Sequence, residues 1–349
     1  MSSSSPHPLP THLIIVCCHA IYTGPSTPSS LSSSSSQSPS STDSSHPSNW
    51  LLAPFQTDEV PTFTEHIQAG LKLLASSSSS PKSKPGQDSN PDSELNPGSG
   101  SDLSSDLDSE PKSKSTSDSL LVFSGSKTRP EIDKSEARSY LYYCLVNNFW
   151  GILPPKTDND ESVTANLRSR ILLEEQALDS FHNILFSLLL FWKTASRWPE
   201  KMTIISHAFK RARFMELHIP ALRFPLHRVV YVGIDPGYMQ PSILGEGGIG
   251  EGNKEYDAGR SEEVRRGERE RGFGVWVGDP RGERAVLRGK RTGRWCWGVD
   301  QRWFEDDEER RESGVVSRRV EWVGVDGMVR ERRLVEEVLG SGRQPWEED

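Results

Sequence analysis

At 349 residues the chain has room for two average domains, yet only 34% of it is hydrophobic and its mean hydropathy is −0.60, which implies one folded domain interrupted and flanked by disorder. The formal net charge of −8 speaks against a nucleic-acid-binding protein. Cys17, Cys18, Cys144 and Cys296 form neither a disulfide framework nor a paired metal knuckle.

In chain order, residues 1–10 read as a polar leader. The apolar run ending at Cys17-Cys18 reads as a buried strand closing on His19, and it lacks the basic flank of an export signal. Residues 11–24 and 49–75 form the first part of a Rossmann-like domain, separated by the Ser/Pro-rich stretch 25–48, whose composition cannot offset its ordering entropy. Phe63, Ile67, Leu71 and Leu74 recur at helical spacing, with Thr62 and Glu65 expected as a capping box. Residues 76–118 are a second disordered linker. The main part of the domain, 119–240, then alternates strand and helix: an unbroken apolar run at Leu120 to Phe123, a helix from Ser135 to about Phe149, a strand from Arg170 to Glu174, and a helix from Gln176 to about Ser196. A strand from Lys201 to Ser206, a short basic helix from Phe209 to Leu217 and a strand from Arg228 to Asp235 complete it. The expected fold class is therefore α/β: an open parallel sheet of about five strands with flanking helices. Its most hydrophobic segment, Ile184 to Trp192, falls well short of the roughly 20 residues that span a bilayer. No membrane span is expected, and the reading is a cytoplasmic protein.

Residues 241–272 are a low-complexity Gly/Glu/Arg tract, read as unstructured. Residues 273–349 are read as a poorly ordered extension with a late helix from Met328 to Leu339 ended by Gly340. Its tryptophans, Trp276, Trp295, Trp297, Trp303, Trp322 and Trp346, interleave with arginines. Acidic residues balance that charge, so packing against the sheet domain is preferred to base stacking.

The stretch from Ser119 to Glu136 combines a buried strand, a polar turn and a helix start, with Asp133 and Glu136 read as the capping box. In a parallel sheet such turns lie at the carboxyl edge, where ligands bind. Ser124 and Gly125 turn the chain, with Gly125 expected in a backbone conformation that other residues disfavour. Lys127 and Arg129 offer charge to an anion. The other strand ends add Glu174, then Ser206 and His207, while Ser180 and Asn183 follow on the next helix and Arg211 on the basic one. The ligand expected is an anionic small molecule. Glu174 or His207 would act as general base, although Glu174 could equally cap the following helix and His207 could be a satisfied strand-end residue.

Three ordered motifs carry a resemblance: Ser124-Gly125 followed by Ser135-Glu136-Ala137; Glu174, Ala177, Ser180 and Asn183 at three-residue steps; and Ser206-His207 with Arg211-Ala212. With them the chain resembles the YdcF/SanA-like family, domain of unknown function 218, in a fungal-type subgroup. The resemblance implies a Rossmann-like fold and an affinity for S-adenosylmethionine, without a settled reaction. Gly125-Ser126 stands where many members have Gly-Gly, and His207 lies four residues before Arg211 where bacterial members have three. Two functions follow as expectations: a hydrolase or transferase acting on a phosphorylated or nucleotide-like small molecule, or a module that binds S-adenosylmethionine or a nucleotide without turnover.

Overall fold

The computed structural model describes residues 9–24, 44–77, 119–154, 167–241, 255–322 and 334–348. Most of the insertion 25–48, nearly all of the linker 76–118, and residues 242–254 of the Gly/Glu/Arg tract lie outside the described residues.

Strand β1 (His12–Cys17) is followed by the short antiparallel pair β2 (Ile21–Tyr22) and β3 (Trp50–Leu51), then by β4 (Ser119–Ser124), β5 (Ile171–Glu174), β6 (Lys201–Ser206) and β7 (Val229–Gly233). β1 and the last four form one parallel sheet in the order β5-β4-β1-β6-β7. All six residues of β1 are buried, because alternate side chains serve opposite cores. Leu13, Ile15 and Cys17 join one cluster, whereas Ile14, Val16 and Cys18 join the other. The second face is covered by α1 (Val60–Ser76) and α2 (Glu136–Val146), and the first by α3 (Ser180–Ala195) together with the helical stretch that ends in α4 (Ile219–Leu222). The parallel α/β architecture read from the sequence is the one observed.

The helix starts differ from their expected places. Val60 opens α1 with Pro61 in its first turn, so Thr62 lies inside the helix and buried rather than capping it. Ser135 caps α2 through the Arg138 N–H, and Asp133 instead pairs with Lys127. Asp179 caps α3 by accepting from the N–H groups of Phe181 and His182, leaving 176–178 as an irregular connection rather than a first helical turn.

The C-terminal third departs most. Residues read as unstructured form α5 (Ala258–Gly267), capped by Asp257, and continue through a wide helical turn, Glu268–Phe273, into α6 (Gly274–Val277). Then come α7 (Ala285–Arg294), α8 (Asp307–Ser313) and an antiparallel hairpin of β8 (Ser317–Trp322) with β9 (Leu334–Leu339). The expected late helix is thus a strand in its described part. Tertiary pairing overrides helical spacing there: Glu336 and Glu337 meet Arg288 and Arg310 at 2.8 and 2.6 Å, and the Gly340 N–H extends the ladder to the Val316 carbonyl. Trp276, Trp303 and Trp346 pack into the core beside α3, which explains why that helix is apolar nearly all round. No helix among the described residues is long and apolar enough to cross a membrane.

At the amino end of the sheet, His12 bridges three strands, one ring nitrogen 3.0 Å from Ser119 Oγ and the other 2.9 Å from Thr203 Oγ1. Burial, aided by the charge of Lys201, pushes its pKa down to about 4. The unfolded chain therefore takes up a proton as pH falls below the ordinary histidine value while the folded chain does not, so this contribution to stability is present at neutral pH and lost toward pH 4. Denaturant titrations of wild type and His12→Gln from pH 7 to 4 should show the stability gap between them shrinking by up to about 3 kcal/mol. A gap independent of pH would show that His12 gains a proton as readily folded as unfolded.

Candidate functional site

The chain runs outward from β1 through β4 to β5, then returns to the other side of β1 for β6 and β7. The strand order therefore reverses at β1, and open α/β sheets bind ligands in the crevice outside such a point. A cavity of about 450 Å³ occupies that position, lined by His19 after β1, Glu136 at the start of α2, Asn183 on α3 and Lys210 beyond β6. Six basic side chains line it: Arg129, Lys210, Arg213, Arg271, Lys290 and Arg294. The carboxylates in the lining are Glu136 and Asp179, and Asp179 is consumed by a buried ion pair with Arg291 at 2.5 Å. Burial alone would raise the Asp179 pKa, but the Arg291 guanidinium, together with His182 and its backbone N–H, more than offsets it and holds the carboxyl ionised.

Of the residues singled out in the sequence, Arg129, Glu136, Ser180 and Asn183 line this cavity. Ser124 and Glu174 lie fully buried beside it. Ser124 Oγ is 2.5 Å from Glu174 Oε2 and 3.1 Å from Asn183 Oδ1, while Glu174 Oε1 accepts from the N–H groups of Gln176 and Ala177. Burial pushes the Glu174 pKa up to about 7, against the pull of those hydrogen bonds. Its geometry is that of a carboxyl tying down the loop after β5. Ser206 stands behind His19, with Oγ 3.2 Å from His19 Nε2.

Seven of the expected residues are not in the lining: besides Ser124, Gly125, Glu174 and Ser206 at its back, these are Lys127, His207 and Arg211. Lys127 turns outward to Asp133 at 2.6 Å. His207 is 1% exposed and packs among His19, His66, Phe63 and Phe209, with Nε2 3.6 Å from Glu59 Oε2. Arg211 is exposed and donates to the Tyr231 carbonyl at 3.3 Å, over the Tyr231 ring. Lys210 and Arg213, three positions apart on the same helical stretch, share the cavity face instead.

Gly125 serves a different purpose from the one expected. Its backbone is outside the left-handed region. What requires glycine is space: a Cβ there would stand 2.7 Å from Glu136 Oε2 and 3.0 Å from Cys18 Cβ. That contact seats the Glu136 carboxyl, whose Oε1 accepts from Thr128 Oγ1 at 2.6 Å and whose pKa is raised by burial.

The residues best placed for chemistry are His19 and Lys210. Lys210 Nζ approaches His19 Nδ1 at 3.5 Å. An ammonium can only donate, so Nδ1 accepts and the ring proton resides on Nε2, facing Ser206. Burial, then Lys210, keeps His19 neutral, with its pKa well below the ordinary value. Burial, then Arg213, pushes Lys210 down to about 8, so it is still charged at neutral pH. The thiols are poor nucleophiles: burial drives Cys17 up to about 12 and Cys18 well above its usual value. Among the described residues no group of three or more His, Cys, Asp or Glu is arranged to hold a metal ion.

The tail supplies Arg271, Lys290 and Arg294, which the sequence reading left out of the site. Lys290 and Arg294 stand four apart on α7, on one helical face, and that spacing is the signal visible in the sequence.

Fold and cavity together define an α/β protein with a basic crevice of about 450 Å³ at the switch point of a parallel sheet. In comparison with known proteins, the chain is 28% identical over 251 residues to the uncharacterized protein YOR238W of Saccharomyces cerevisiae, covering 64% of this chain and 67% of the yeast protein. No family model matches the chain. No solved structure matches it.

Gly125→Val should destabilise the fold by about 1–3 kcal/mol, the range for overpacking a close contact, and weaken any ligand of the cavity at the same time. Chemical denaturation and calorimetry on one preparation check both. Full stability with unchanged ligand affinity would show that the close contact with Glu136 is dispensable.

Proposed function

We propose that the chain is a cytoplasmic member of the YdcF/SanA-like family, domain of unknown function 218, that binds a phosphorylated or nucleotide-like small molecule and hydrolyses it or transfers a group from it. The observation that carries this reading is the convergence of six bases against two carboxylates on one cavity of about 450 Å³ at the sheet's switch point. Lys210 and Arg129 are the natural phosphate ligands there. His19 becomes the general base once Lys210 turns from its Nδ1 to the bound anion and frees that lone pair, a role the sequence offered to Glu174 or His207. The free, buried thiols of Cys17, Cys18 and Cys144 suit a reducing compartment.

A second reading, a module that holds S-adenosylmethionine or a nucleotide without turning it over, is favoured by one observation. The nucleophiles at the ends of β1 and β4 are buried and either engaged or raised in pKa: Ser124 is held by Glu174 and Asn183, and burial raises Cys17 and Cys18.

The two readings separate in one set of measurements on the full chain: a thermal-shift screen of sugar phosphates, mononucleotides and S-adenosylmethionine, followed by product analysis on each stabilising compound. A ligand at 100 times its dissociation constant adds about 2.7 kcal/mol of stability. Lys210→Met should weaken a phosphorylated ligand by about 1.5–3 kcal/mol, the range for a charged hydrogen bond, and the loss should diminish as salt is raised. Unchanged affinity in that variant would overturn the anion-binding reading. Stabilisation without product would select the module.

A further inference from the structure

Five of the bases come from two different parts of the chain. Lys210 and Arg213 belong to the sheet domain, whereas Arg271, Lys290 and Arg294 belong to the C-terminal segment. Their negative company is thin. Arg213 pairs with Glu268 at 3.1 Å, but among the described residues Lys210, Arg271, Lys290 and Arg294 form no ion pair. Lys290 Nζ donates to the Arg271 carbonyl at 2.9 Å and Arg294 Nη1 to the Leu178 carbonyl at 2.7 Å, contacts that position charge without neutralising it. Mutual proximity is also felt in the ionisation of the lysines. Burial first, then the neighbouring arginines, lowers the pKa of both Lys210 and Lys290.

Like charges gathered across a seam repel, and the seam is held elsewhere. The buried Asp179–Arg291 pair, Gln301 Nε2 donating to the Gln176 carbonyl, and Trp297 Nε1 donating to the Arg129 carbonyl strap the tail over the loops after β4 and β5. With Arg129, five lining bases stand outside an ion pair among the described residues, against the lining carboxyl of Glu136 beside them; a phosphomonoester adds at most about two negative charges at neutral pH, which leaves positive charge uncompensated. A chain of two or three phosphates brings enough charge, and enough length, to touch both sides of the seam.

Building on the anion-binding reading above, we propose that the ligand carries a diphosphate or triphosphate chain that bridges the sheet domain and the C-terminal segment, with Lys210 and Arg213 on one side and Arg271, Lys290 and Arg294 on the other. The tail is then part of the binding site and sets its selectivity for polyphosphate over monophosphate. The same chemistry is offered by inorganic pyrophosphate and by a nucleoside diphosphate. Phe55 bears on the second source. It lines the cavity yet is 68% exposed, on a turn anchored by Gln56, whose Nε2 donates to the His19 carbonyl, and it could stack on a base.

The test is calorimetry on the full chain with phosphate, pyrophosphate, tripolyphosphate and ADP, in EDTA at fixed ionic strength. Pyrophosphate should bind at least about tenfold more tightly than phosphate. Lys290→Gln and Arg294→Gln, both at exposed positions, should each cost pyrophosphate about tenfold and phosphate about twofold, one charged hydrogen bond being the expected loss. Trypsin cleavage within residues 255–313 should slow with pyrophosphate more than with phosphate. Equal affinities for phosphate and pyrophosphate, or tail variants that bind pyrophosphate as wild type does, overturn the proposal. If phosphate binding still depends on Lys210 in that case, the anion-binding reading survives. If neither anion responds to Lys210→Met, both fall. ADP binding more tightly than pyrophosphate, with the difference removed by Phe55→Ala, supports the bridge with a nucleoside diphosphate as ligand. Equal binding of the two supports it with the inorganic chain.

Discussion

The constraint on which the structure depends is that β1 is buried on both faces and flanked by parallel neighbours on both sides. Its alternate residues feed two separate cores, so a shift of one residue would exchange every side chain between them. The register is therefore fixed, with Cys17 opposite Ser124 and Val16 opposite Ile205. Because all five strands run the same way, their carboxyl ends finish at one edge. The polar residues at those ends, Ser124, Glu174 and Ser206, and His19 just past β1, are gathered there as a consequence of core packing, before any ligand is considered.

Burial at that edge imposes a second condition. Polar groups removed from water must be paired or must give up their charge, and the site does both. Glu174 satisfies two backbone N–H groups and is raised toward neutrality; Ser124 sits between it and Asn183, so a protonated Glu174 donating to Ser124 and Ser124 to Asn183 would leave no acceptors opposed. The imidazoles of His19, His66 and His207, packed tilted or edge-on with ring centroids 4.5–5.7 Å apart, are all held neutral by burial. Lys210, less deeply depressed, is the charge that survives next to them. The inner wall is thus neutral by desolvation and the outer wall positive by sequence, and the proposed anion would meet the charge at the mouth and His19 at the inner end.

Much of this was legible in the sequence. Unbroken apolar runs at β1 and β4 and the helix–strand alternation contain the fold, because burial on both faces removes polar alternation. The motif residues Glu136, Ser180 and Asn183 were legible for the same reason, since they follow strand ends. What was not legible follows from distance along the chain. The choice between Arg211 and Arg213 depends on the phase of a helical stretch that widens at Arg213–His218. The fate of His207 depends on Glu59, His66 and Phe63 from another helix unit. The tail was misread because Gly, Glu and Arg carry no periodic signal of their own; α5 rests on the Asp257 cap, and β9 on pairing with β8 and on arginines from α7 and α8.

The tail also alters what the cavity can be. Without residues 255–301, the carboxyl edge would be an open crevice whose bases, Arg129, Lys210 and Arg213, face water, where an ion pair is worth little. With Trp276 and Leu287 closing over it, the same charges act through a less polar medium, and their attraction for an anion and their repulsion for one another grow together. The apolar contacts of Trp276, Trp303 and Trp346 with the α3 face supply the burial that holds those like charges close. A tail whose tryptophans dock on the core while its arginines and lysine line the crevice therefore belongs to the site as much as the strand ends do, and the acidic balance of its remaining surface leaves that concentrated charge local to the cavity.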